Sequence, residues 1–119
     1  MAQFKSCTLG YSKDDSFVYF NIAASIDFQP HETNTHWFLD VTFMENDDLL
    51  DDKIGSNART FFTNRLHKDV SFNFVFKREV IDTVATNGEV YAKVRVVPLE
   101  APPPFVKDEL ETNVISVDV

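Results

Sequence analysis

The chain has 119 residues, 44% of them hydrophobic and twelve of them Phe, with eleven Lys and Arg against nineteen Asp and Glu, for a formal charge of −8. That length predicts a single β domain over residues 1–119 with one aromatic-rich core, and the composition excludes a disordered chain. The acidic balance argues against nucleic acid as a partner, because phosphate contacts need clustered cations, and no stretch approaches the roughly 20 apolar residues of a membrane span.

The elements read as follows in chain order. A short strand is expected over residues 3–9. Residues 16–28 then alternate cleanly, with Val18, Phe20, Ile22, Ala24, Ile26 and Phe28 on one side and Tyr19, Asn21, Ser25 and Asp27 on the other, the pattern of a half-buried strand. His31 and His36 follow Pro30 in a loop leading into the next strand; their spacing of five does not match the zinc-protease helix, which separates its histidines by four. Residues 35–45 alternate again, with Trp37, Leu39, Val41 and Phe43 on the core side.

Ser56 can cap a helix over residues 57–68, in which Ala58, Phe61, Phe62 and Leu66 recur at helical spacing and Arg65, His67 and Lys68 lie near the negative end of the dipole. Phe61 and Phe62 cannot both point straight inward, so one flanks the core or reaches a partner. Residues 70–76 give another strand through Val70, Phe72, Phe74 and Phe76. Asn87-Gly88 is a strong hairpin signal, since the pair tolerates positive φ at both positions. Pairing outward from it sets Ala85 opposite Val90, Asp82 opposite Lys93 and Ile81 opposite Val94. The apolar face changes parity between Phe76 and Ile81, which predicts a β-bulge or break over residues 77–80. Residues 98–104, with three consecutive prolines from Pro102, read as an extended connector to a last strand over residues 112–117. The fold expected is all-β and mainly antiparallel, a β-sandwich or barrel of about 6–8 strands with one short amphipathic helix near residues 57–68.

Candidate chemistry is concentrated in residues 45–52, where Glu45, Asp47, Asp48, Asp51 and Asp52 crowd five carboxylates directly after a strand. Calcium takes six to eight oxygen ligands, and such a loop supplies several. The metal-ligand set expected here is Asp47, Asp48, Asp51 and Asp52, with Asp14 and Asp15 from the turn before the second strand as second-loop contributors. The stretch from Trp37 through Asp47-Asp48 and Asp51-Asp52 to Gly55 resembles one calcium loop of the C-two domain, a calcium-dependent membrane-binding β-sandwich. That resemblance implies a second acidic loop; Asp14-Asp15 fills the place but lacks the Gly, Asp-Pro and Tyr that accompany it in the family, and the elements expected after Gly55 also depart from it.

Nothing points to catalysis. Cys7 is the sole cysteine, so it forms no intramolecular disulfide and offers no zinc framework, and it reads as a small apolar group in a strand. No Gly-x-Ser-x-Gly elbow or Gly-rich phosphate loop occurs, so no catalytic residue is assigned. The function expected is a non-catalytic protein-interaction module, or a structural one that self-assembles into a homo-oligomer; the alternative is a calcium-dependent binding module using residues 45–52. The lone thiol and the absence of a signal-like start favour a cytoplasmic protein, or one exported without a conventional signal peptide.

Overall fold

A computed structural model describes residues 2–46, 51–84, 88–99 and 108–117. Its strands are β1 (Gln3–Lys13), β2 (Phe17–Asp27), β3 (Thr35–Glu45), β4 (Asp52–Thr63), β5 (His67–Lys77), β6 (Glu89–Pro98), β7 (Asp108–Glu111) and β8 (Ile115–Ser116), with a 3₁₀ turn at Pro30–Glu32 and one helix, α1 (Arg78–Val84). All ladders are antiparallel and form two sheets: a three-stranded layer ordered β1-β2-β5, and a five-stranded layer ordered β4-β3-β6-β7 with β8 also paired to β6. The architecture is a small β-sandwich, as the alternation of residues 16–28 and 35–45 requires, because two half-apolar sheets bury their faces only against each other.

Aromatic rings fill the space between the layers. Phe20 of β2 stacks on Phe43 of β3 with centroids 5.0 Å apart, and Phe74 and Phe76 of β5 meet Phe43 edge-on, each at 5.4 Å. At one end Phe28 packs against Trp37 and Phe61, and the Trp37 indole N–H donates to the Glu32 carbonyl at 3.2 Å, so the ring is buried with its polar atom satisfied.

Several elements differ from the sequence-based expectation. The helix expected near residues 57–68 is instead the second half of β4, a connection at residues 64–66, and the start of β5. Phe61 and Thr63 point inward while Ala58, Thr60 and Phe62 point out, a period of two that was masked by polar residues on both faces of an edge strand. Pairing with β3 along residues 52–63 outweighs the weak helical spacing, and Ser56, Asn57, Thr60, Thr63 and Asn64 are poor helix formers.

The helix that does form lies where a bulge and a hairpin arm were expected. The parity change between Phe76 and Ile81 marks the exit from the three-stranded layer: α1 carries the chain across to β6, packs on β2, β4 and β5, and inserts Ile81 into the core. Ile81 and Asp82 therefore do not pair with Val94 and Lys93, because β6 takes β3 on one edge and β7 on the other. Gly88 does adopt the positive φ of 74° expected of it; Ala85 and Asn87 lie outside the described residues, as does most of the proline-rich connector. The first strand extends to Lys13, and the last region divides into β7 and β8.

Candidate functional site

The acidic candidates fall into two separate sets. Asp14 caps the β1–β2 hairpin. Its Oδ1 accepts the amides of Ser16 at 2.9 Å and Phe17 at 2.7 Å, and its Oδ2 accepts the Tyr19 hydroxyl at 2.7 Å. These bonds, the Tyr19 hydroxyl foremost, hold the Asp14 carboxyl below the usual range. Asp15 is exposed beside it. In the other layer Asp51 accepts the Tyr91 hydroxyl at 2.5 Å, while Asp52 opens β4 and is exposed. Burial first, and the Asp51 carboxylate second, push the Tyr91 phenol up to about 12. Asp47 and Asp48 lie outside the described residues. Among the described residues no three His, Cys, Asp or Glu side chains stand together as a metal site.

The outward face of the five-stranded layer departs from the polar surface expected of a sandwich. On β3 the odd positions from Trp37 to Phe43 are buried, so His36, Phe38, Asp40, Thr42 and Met44 face out. Register places Phe62 of β4 beside His36, with ring centroids 5.1 Å apart, and Val97 of β6 beside Phe38. The Leu99 amide donates to the His36 carbonyl at 3.0 Å, which extends the same row. Phe62 and Leu99, on either side of His36, are each 43% exposed, and Phe38 and Val97 lie half-buried in the adjoining row. Four apolar side chains thus form one patch across three strands. Farther along the face, the Arg95 guanidinium pairs with Asp40, its Nε at 3.0 Å, and β7 places Glu109 beside Arg95 and Glu111 beside Lys93.

The two sides of the sandwich, where one layer ends against the other, are closed by single side chains. At the β1 side, Asn113 bonds both backbone groups of Leu9. At the opposite side Arg59 of β4 donates to the Asn73 carbonyl of β5 at 3.3 Å and to the Ala58 carbonyl at 3.1 Å, while its guanidinium lies 4.5 Å from the centre of the Phe74 ring. Asn57 Oδ1 accepts the Ala58 amide at 2.8 Å, so both backbone groups of Ala58 on this edge strand are satisfied by neighbouring side chains. Capping of this kind blunts an edge against strand addition.

His67, expected at a helix terminus, opens β5 instead. Its Nδ1 lies 2.8 Å from Asp27 Oδ1 and its Nε2 3.0 Å from Asp69 Oδ1, and the Ser25 hydroxyl also donates to Asp69. His31 is exposed on the 3₁₀ turn. Cys7 is buried on the core side of β1, and burial pushes its thiol up to about 11, which leaves the unreactive thiol form dominant at neutral pH.

No family model matches the chain, and no curated protein sequence matches it. The resemblance of residues 37–55 to a C-two loop therefore has no family match behind it. A solved structure described as "Crystal structure of protein from Archaeoglobus fulgidus" is similar over 98% of each chain, at 14% identity and a TM-score of 0.43. Among the described residues no helix is long and apolar enough to cross a membrane.

Proposed function

We propose that the chain is a non-catalytic β-sandwich module that associates with a second copy of itself through the outward face of its five-stranded layer. The observation that carries this reading is the patch of Phe38, Phe62, Val97 and Leu99 on a face whose exposed side should be polar. A second copy suits this face for an electrostatic reason. Two chains of charge −8 repel, yet the region beyond the patch sets Arg95 and Lys93 among Asp40, Glu109 and Glu111, so opposite signs are already interleaved there. A stable interface takes about 800 Å² from each partner, more than four side chains supply, so the contact runs along the face to the Asp40–Arg95 pair.

Light scattering across a wide concentration range tests the proposal. The expected result is a mass twice that of the chain, reached at lower protein concentration as salt rises, because screening removes the net repulsion while apolar contact persists. Phe62→Ser combined with Leu99→Ser should return the monomer mass with the melting midpoint of the isolated domain little changed. A monomer mass at every concentration and salt level overturns the reading.

A further inference from the structure

We propose that Asp27, His67 and Asp69 form a proton-operated latch that holds the β4–β5 corner against the end of β2. Asp27 is the last residue of β2, His67 the first of β5, and the two are paired in register. Both ring nitrogens lie at hydrogen-bonding distance from a carboxylate oxygen, 2.8 Å to Asp27 and 3.0 Å to Asp69. A carboxylate only accepts, so both contacts are hydrogen bonds only when both nitrogens carry a proton, which makes the ring an imidazolium. Loss of one proton to solvent turns one nitrogen into an acceptor facing an anion, and at the same time removes the charge shared by two carboxylates.

The latch is built on both sides of the ring. From β2, Asp27 faces Nδ1, and the Ser25 hydroxyl fixes Asp69 by donating to it. From β5, Asp69 faces Nε2, with Lys68 beside it; Arg65 of the connection lines the same recess, and Lys5 of β1 acts on Asp69. Hydrogen bonding to Asp27 foremost, with Asp69 contributing, raises the His67 pKa above its ordinary value. The latch is therefore fully engaged below the unfolded-state value and is lost as pH rises through the raised one.

What the latch holds is defined by one backbone bond. The Phe28 amide donates to the Leu66 carbonyl at 2.7 Å, immediately beside the pair of Asp27 and His67, and ties the corner to the strand end. Leu66 is 56% exposed, and Phe62 belongs to the same corner. Release of the latch frees this corner to open locally without unfolding the layers. That opening also loosens the Phe62 side of the association face, a consequence that rests on the self-association proposed above.

The test follows the ring and the Phe28 amide separately by NMR, on dilute protein. His67 is expected to titrate above its value in the unfolded chain, and Asp27→Asn should bring it back down toward that value. Phe28 amide protection, corrected for intrinsic exchange, should fall roughly tenfold between pH 6 and pH 9 in the natural chain and stay level in His67→Gln. Titration of His67 at its unfolded-chain value, or Phe28 protection that ignores pH in the natural chain, overturns the latch. Because both readouts are taken at dilution, they hold or fail independently of any dimer, whose presence scattering reports.

Discussion

Asn113 gives β1 what a neighbouring strand would have given it: Oδ1 accepts the Leu9 amide at 2.9 Å, and Nδ2 donates to the Leu9 carbonyl at 3.1 Å. One carboxamide replaces one residue of ladder, at the side of the sandwich where the layers separate. Asn113→Ala should cost about 1 kcal/mol, since Leu9 recovers part of its bonding from water. Asn113→Asp should cost about 2 kcal/mol, because it places an anionic acceptor against the Leu9 carbonyl. Urea unfolding of the two variants checks the order, and equal midpoints would mean that the side chain closes nothing.

Thr112, next to it, makes a deeper bond. Its hydroxyl accepts the buried Ala92 amide at 2.9 Å, while its own amide donates to the Ala92 carbonyl at 2.8 Å. Thr112→Val keeps the shape but leaves the Ala92 amide without an acceptor, at a cost of about 1–3 kcal/mol. Thr112→Ser keeps the acceptor and should lose less than half as much in the same unfolding experiment.

Gly55 leaves room for a ring. A Cβ there would stand 2.9 Å from Cε1 of Phe76, and that ring is held edge-on by Phe20 at 5.7 Å and Phe43 at 5.4 Å. Gly55→Ala should therefore lower stability by about 1–3 kcal/mol through displaced packing, read from a thermal melt. In a Phe76→Leu background, which removes the ring, Gly55→Ala should cost less than it does in the natural chain.

The Tyr91–Asp51 contact makes an alkaline prediction. The phenol titrates near 10 when unfolded and is pushed up to about 12 in the folded chain, so the folded state binds the proton more tightly. Its contribution is complete below about pH 10 and is lost as pH rises toward about 12. Tyr19, held up by its hydrogen bond to Asp14, and Tyr91 should both ionise late in an absorbance titration, and Tyr91→Phe should remove one of these late steps. If Asp51 is instead drawn away by a cation, millimolar calcium would bring the step toward lower pH and raise the melting midpoint; neither change is expected.

The layers were legible in the sequence wherever one face meets the core and the other meets water. Val18 to Ile26 and Trp37 to Phe43 alternate strictly because β2 and β3 are central strands with a buried face. Residues 57–63 were not legible, since β4 is an edge strand in which Asn57 and Arg59 stand on the inward side and Phe62 on the outward side. Phe61 faces inward and Phe62 outward, because successive residues of a strand point to opposite faces. The contacts of Asn113 with Leu9, Arg59 with Asn73, and His67 with Asp27 join residues distant in the chain, so no local pattern carries them.

The strand order has a consequence for synthesis. β2 finds β1 at once, but its other partner, β5, arrives only after the whole β3–β4 hairpin has been made. A nascent chain ending before residue 67 therefore carries an open β2 edge flanked by Phe20, Ile22 and Ile26, side chains that are fully covered in the finished fold. During that interval the chain is most exposed to pairing with a neighbour on the same message, and slower elongation through residues 46–66 lengthens it.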